Sequence, residues 1–159
     1  MVGIQQASRR RLATSKKAPL KREGTPAKST KSTGLFSMRE DRTQARNELK
    51  SIVAVMFSNQ HAPELAEFAC VDLDVARKIR AATNEATWGR SDAESVKYVT
   101  DEMVEKLCIC GTLEDVIRQL KSVEKIGYNQ AALNLLRIPN ADKVKMMETF
   151  IDHVIPKLR

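Results

Sequence analysis

The residues whose types and spacing could do chemistry are concentrated between Glu105 and Gly127, in "EKLCICGTLEDVIRQLKSVEKIG". Cys108 and Cys110 stand one residue apart and run directly into Gly111 and Thr112. Thiolates ligate soft metals, but a structural zinc site needs four ligands. An extended Cys-x-Cys turns both thiols to one face, and the other soft ligands, Cys70, His61 and His153, are remote and in no paired spacing. A Cys-x-x-Cys redox pair is absent. The pattern reads as two packed apolar cysteines, and no metal is assigned.

Gly111-Thr112 is the second candidate. A glycine at the carboxyl end of a parallel strand, entering a helix, offers unpaired backbone N–H groups and the positive end of the helix dipole, which suits a phosphate. Gly111 and Thr112 are therefore the candidate cofactor-binding residues. Neither a G-x-G-x-x-G pattern nor a Walker lysine accompanies them. The two histidines adjoin no Ser or Cys in a nucleophile pattern. The carboxylates fall in helix first turns and on charged faces, and Trp88, beside Gly89, fits a lid or a plug of the core equally well. No catalytic residue is assigned.

The elements that must hold this turn follow from hydrophobic period and capping signals. Ser37 and Glu40 have capping-box spacing ahead of a long amphipathic helix to about Ser58, with Ala45, Leu49, Ile52, Val53 and Met56 at helical intervals. Pro63 suits the first turn of a short helix, and Asp72 or Asp74 caps another whose inner face is Val75, Ile79 and Ala82. "ATWGRSD" is a loop, after which Ser91 and Glu94 repeat the capping-box spacing. Thr100 caps a helix with Asp101 and Glu102 in its first turn, where the dipole favours negative charge. Residues 107 to 110 form a short strand.

Thr112 and Asp115 then stand at the cap and third position of a helix with Val116, Ile117, Leu120 and Val123 inward and Gly127 at its left-handed end. "NQAALNLL" has the flanks of a buried strand. A last helix from about Ala141 turns Val144, Met147, Ile151, Val154 and Ile155 inward before Pro156 disturbs it. The βαβα unit at 107–159 makes these two strands parallel.

Charge divides the chain. Of 27 basic and 20 acidic residues, nine basic side chains and one acid, Glu23, lie in residues 1–33. By subtraction 18 basic and 19 acidic residues remain beyond Thr33. Residues 1–33 are expected to be a disordered basic tail able to bind polyanions nonspecifically, and 34–159 the folded domain. No run reaches the ~20 apolar residues of a membrane span, and three cysteines without a framework pattern suit a reducing compartment. A cytoplasmic protein with no membrane partner is expected.

"REDRTQARNELKSIVAVMFSN", "VTDEMVEKLCICGTLEDVIRQLKSVEKIGYNQAALNLL" and "FIDHVIPKLR" resemble, in that order, the C-terminal third of the bacterial-luciferase-like family. That family includes flavin-dependent monooxygenases and deazaflavin-dependent methylenetetrahydromethanopterin reductases. The resemblance rests on Asp41, Arg42, Ala45 and Arg46, on Val99-Thr100-Asp101, on Gly111-Thr112 with Glu114 and Asp115, on Gly127 and on Val154-Ile155-Pro156. Leu113 stands where a proline is usual.

The resemblance implies the C-terminal part of a (β/α)8 TIM barrel, mostly helical with two or three short parallel strands. FMN or a 5-deazaflavin coenzyme would sit at the carboxyl ends of the strands, with hydride transfer or oxygen activation as the chemistry. "GLFS" would end an earlier strand, and "KLCIC" and "QAALNLL" would be the seventh and eighth. Roughly 125 residues follow Thr33, about half of what a full barrel needs. The early strands are expected to be missing, and with them most cofactor contacts. The partial sheet should be closed by its own helices or by self-association or a partner chain. The alternative from the tail is a helical interaction module that binds nucleic acid or another polyanion.

Overall fold

The computed structural model describes residues 31–136 and 138–158. Residues 1–30 of the basic tail lie outside this range, while Lys31 to Thr33 already belong to the first strand, so the boundary expected before Gly34 falls inside an element.

The chain runs β1 (Lys31–Met38), α1 (Arg42–Ser58), α2 (Ala62–Phe68), α3 (Leu73–Ala81), two 3-10 turns (Glu85–Thr87 and Glu94–Tyr98), α4 (Asp101–Leu107), β2 (Cys108–Gly111), α5 (Leu113–Lys125), β3 (Gln130–Asn134) and α6 (Asn140–Thr149). A π turn over Phe150–Val154 and a 3-10 turn over Ile155–Lys157 follow. Proline, which lacks an N–H, stands as expected in that last turn.

Several caps are those the sequence signals. Thr100 accepts from Met103 N–H, Asp72 from Asp74 N–H, and Gly127 takes a φ of +99° beyond α5. Two expected capping boxes do not form. Ser37 is inside β1 and fully buried, where its hydroxyl donates to Glu48 at 2.6 Å; Asp41 caps α1 instead. Ser91 gives way to Ala93 at the start of its 3-10 turn. Spacing alone identifies a donor–acceptor pair but not whether the first residue is still extended.

The three strands are all parallel, in the order β2-β1-β3. Leu35 to Met38 pair with Cys108 to Gly111, and Lys31 to Leu35 with Gln130 to Asn134. In a sequentially wound barrel β2 would be central. Here eight-residue β1 is long enough to carry one neighbour on each half, and the β2–α5–β3 connection passes over it.

Alternation of side chains sends the two faces of the sheet into two apolar clusters. Cys108 and Cys110 join Leu49, Val53 and Phe57 of α1, Ile79 of α3 and Val104 of α4. Phe36, Met38 and Ile109 join Val116, Ile117 and Leu120 of α5 with Met146 and Val154. Helices thus close over both faces, the outcome that burial of a parallel sheet demands. The Phe36 and Phe150 rings meet edge to face at 5.6 Å.

The end of the chain corrects two expectations. β3 is exposed over Gln130 to Ala132 rather than buried. In α6 the inward side chain is Met146, whereas Val144, Met147 and Ile151 are more than half exposed. The π turn widens the helix after Thr149, so the face is set by Met146, Phe150 and Val154.

Candidate functional site

At the carboxyl ends of β1 and β2, α5 and α6 enclose a cleft of about 530 Å³. Its lining includes Arg39, Glu40, Thr112, Glu114, Asp142 and Lys145, with Met38, Leu113 and Met146 as apolar wall. The volume lies within the range of small-molecule and cofactor sites.

One wall is the turn singled out from sequence. Gly111 has a φ of +128°, and its carbonyl accepts from Arg39 N–H at 3.0 Å. A Cβ at Gly111 would stand 2.7 Å from Asp115 Oδ2, so glycine is required by backbone angle and by space. Thr112 caps α5 in a complete capping box: Asp115 N–H donates to its hydroxyl, while its own N–H and hydroxyl both engage Asp115 Oδ2 at 3.1 Å. Thr112 lines the cleft; Gly111 shapes it from behind.

Asp115 is the buried hub of this turn. Arg42 grips it with two hydrogen bonds, Nε to Oδ2 at 2.8 Å and a terminal nitrogen to Oδ1 at 2.9 Å, and Arg118 adds a third. Burial alone would raise the carboxyl's pKa. The bonds from Arg42, the Thr112 N–H and Arg118 outweigh it and hold the group at about 2.

The opposite wall is tied by Arg39, whose guanidinium donates to Glu48 of α1 and to Asp142 of α6. Burial opposes its charge, but the bonds to Glu48 and Asp142 raise its pKa above the ordinary value. Arg39 therefore links the end of β1, α1 and α6, three of the elements around the cleft. Lys145 is a second cation on the rim.

The other candidates lie elsewhere. Cys108 and Cys110 are buried, and desolvation pushes their thiols up to about 12 and about 11. Gln119 of α5 binds both backbone groups of Cys110. Cys70 is exposed, with a φ of 50°. His61 starts α2 and His153 is exposed in the π turn. Trp88 is 61% exposed and its indole N–H donates to Ser58, so it neither plugs the core nor lines the cleft. Among the described residues no three His, Cys, Asp or Glu side chains group as metal ligands, and no helix is long and apolar enough to cross a membrane.

Sequence reasoning missed Arg39, Asp142 and Lys145 as cleft residues. Arg39 follows a strand end and carries no periodic signal, and Asp142 is 103 positions away from it. Asp115 was legible as the third position of the Thr112 cap and Arg42 only as a point of family resemblance; nothing in the sequence marked them as partners.

No protein-family profile matches the chain. The 5,10-methylenetetrahydromethanopterin reductase of Archaeoglobus fulgidus is 31% identical over 124 residues, covering 78% of this chain and 36% of the reductase. The chain is homologous to methylenetetrahydromethanopterin reductase, of the luciferase-like family. The coenzyme F420 dependent tetrahydromethanopterin reductase of Methanopyrus kandleri shares its fold, with a TM-score of 0.69 at 23% identity. That match covers 81% of this chain and 35% of the other. The mostly helical fold with three parallel strands thus corresponds to part of a barrel-type reductase, and the chain spans little more than a third of the length of these reductases.

Proposed function

We propose that this chain is part of a deazaflavin-dependent oxidoreductase related to methylenetetrahydromethanopterin reductase, and that its carboxyl-end cleft contributes one side of the coenzyme site. The observation that carries the reading is the 31% identity over 124 residues with the Archaeoglobus reductase. A reductase is favoured over a monooxygenase, and a deazaflavin over FMN, because the Methanopyrus enzyme of the same fold is named for its coenzyme F420 dependence.

The cleft's residues fit a ligand with a flat apolar part and a polar part. Met38, Leu113 and Met146 supply apolar surface; Arg39 and Lys145 supply positive charge, and Glu40, Glu114 and Asp142 negative charge. A bound deazaflavin would supply hydride transfer. Thr112 and Gly111 act by shaping the wall, since the Thr112 N–H and hydroxyl are both committed to Asp115. The remaining contacts of a full coenzyme site, and complete activity, would come from the portion of the reductase that this chain does not span.

A fluorescence titration of the purified full chain with coenzyme F420, with FMN in parallel, tests the reading. Saturable F420 binding weakened by Lys145→Glu is the expected result. FMN binding in preference to F420, or no F420 signal at roughly millimolar coenzyme, a concentration where even ~4 kcal/mol of binding energy registers, would sink it. The polyanion-binding alternative rests on residues outside the described range, and no described feature favours it.

A further inference from the structure

The Arg39 guanidinium in the cleft carries two carboxylates where one would balance its charge, and they hold it unequally. Glu48 of α1 is the fixed partner. Both of its oxygens accept from Nε, at 2.9 and 3.1 Å, and Oε1 also lies 2.8 Å from Nη2. The fully buried Ser37 hydroxyl donates to Glu48 at 2.6 Å, and the Arg39 N–H donates to Gly111 C=O, so cation and counter-ion are both anchored to the sheet. Arg39 and Glu48 are 15% and 16% exposed. A planar cation held in this way is pre-organised for an anion, because its geometry is fixed before the anion arrives.

Asp142 is the looser partner. It accepts from Nη2 through one oxygen at 2.8 Å, from the first turn of α6, and is 43% exposed. Rotation about its own side-chain bonds returns it to water without disturbing Glu48. The place it occupies favours negative charge from two further directions. Lys145, three residues along α6 on the same cleft-lining face, forms no ion pair among the described residues. The α6 N-terminus starts at Pro139 with no side-chain cap, so the positive end of the helix lacks a side-chain acceptor there.

We infer that Asp142 is a resident competitor at an anion subsite of the cleft: the carboxylate or phosphate of a small ligand takes its place on Arg39, beside Lys145, and Asp142 turns out to solvent. The inference concerns the same cleft as the coenzyme reading but rests on this geometry alone. Asp142 sets the affinity, since an internal carboxylate that occupies Arg39 about 90% of the time weakens an incoming anion about tenfold. Glu40 and Glu114 line the same cleft and repel anions through space, whereas Asp142 holds the very nitrogen that the ligand needs. A ligand with two anionic oxygens, able to bridge Arg39 and Lys145, competes best.

Calorimetric titration of the full chain with inorganic pyrophosphate, which carries no deazaflavin, tests this and leaves the coenzyme reading to its own titration. Asp142→Asn, which keeps the side chain's shape and removes its charge, should bind pyrophosphate roughly tenfold more tightly than the native chain. Asp142→Ala should do the same, which separates loss of the competitor from any new contact of the amide. Glu114→Gln removes an equal charge from the same cleft, yet should change affinity by no more than about twofold, because that exposed charge acts only through screened solvent. Added to Asp142→Asn, Lys145→Gln should weaken binding by about fivefold, and Arg39→Lys, which keeps the charge but loses the fork, should abolish most of the gain. Equal tightening by Asp142→Asn and Glu114→Gln would reduce the effect to overall charge and overturn the inference. So would native affinity in both Asp142 variants, or no binding of pyrophosphate by either of them up to about 10 mM.

Discussion

Arg42 and Asp115, 73 positions apart in the chain, form a two-pronged ion pair that joins the first turn of α1 to the first turn of α5. The carboxylate is 4% exposed and the guanidinium about half exposed, so the pair anchors the cleft wall from the protein side while its cation stays hydrated. Replacing Asp115 with Ala removes a helix cap and the partner of two arginines. A loss of about 2 kcal/mol is expected in urea unfolding, with a smaller loss for Arg42→Ala. A change within experimental error for Asp115→Ala would show that the turn holds without its hub.

The same carboxylate makes stability depend on acid. Its pKa in the folded chain is about 2, below the ordinary 3.8, so the unfolded state takes up the proton first. The stabilisation is full above the ordinary value and is lost as pH falls from near 3.8 toward about 2. Asp101, held low by its hydrogen bond from Lys50, acts in the same sense. Thermal melts between neutral pH and pH 2 should fall more steeply for the native chain than for Asp115→Asn. Parallel curves would contradict this.

Gly111→Ala should cost at least about 2 kcal/mol, because the new Cβ meets Asp115 in a backbone region that L residues rarely adopt. It should also loosen the Thr112–Asp115 box, seen as faster hydrogen exchange at the Thr112 amide. An alanine variant with native stability and exchange would refute the requirement. By contrast Gly127→Ala, at a φ of +99° with no atom within 4 Å of the added carbon, should cost backbone strain alone.

Thiol chemistry separates the three cysteines. Cys108 and Cys110 are buried, with thiols pushed to about 12 and about 11. A thiol-reactive dye at neutral pH should label the folded chain once, at Cys70, and the denatured chain three times. Rapid labelling of Cys108 or Cys110 in the folded state would mean that the helical cover over β2 opens.

Local signals were strong wherever one short segment contains all the interacting parts. Thr112 and Asp115 belong to the same turn, so their capping box could be read from spacing. The same holds for Thr100, for Gly127 and for the alternation that buries both thiols against α1. The resemblance of ordered segments to the luciferase-like family was also in the residues, because it depends on their order along the chain.

What only the tertiary structure decided are relations between distant segments. Ser37 and Glu40 satisfy a capping pattern, yet pairing of β1 with β2 keeps Ser37 extended and gives its hydroxyl to Glu48. The inward face of α6 shifted from Val144, Met147 and Ile151 to Met146 because a widened turn and packing against Phe36, rather than helical period, set the register. The ion pairs that tie the cleft walls span many tens of residues, from Arg39 to Asp142 and, behind the Thr112 turn, from Arg42 to Asp115. An ion pair has no period and no fixed spacing, so the sequence by itself determined the turn at Gly111-Thr112, while folding alone decided what that turn faces.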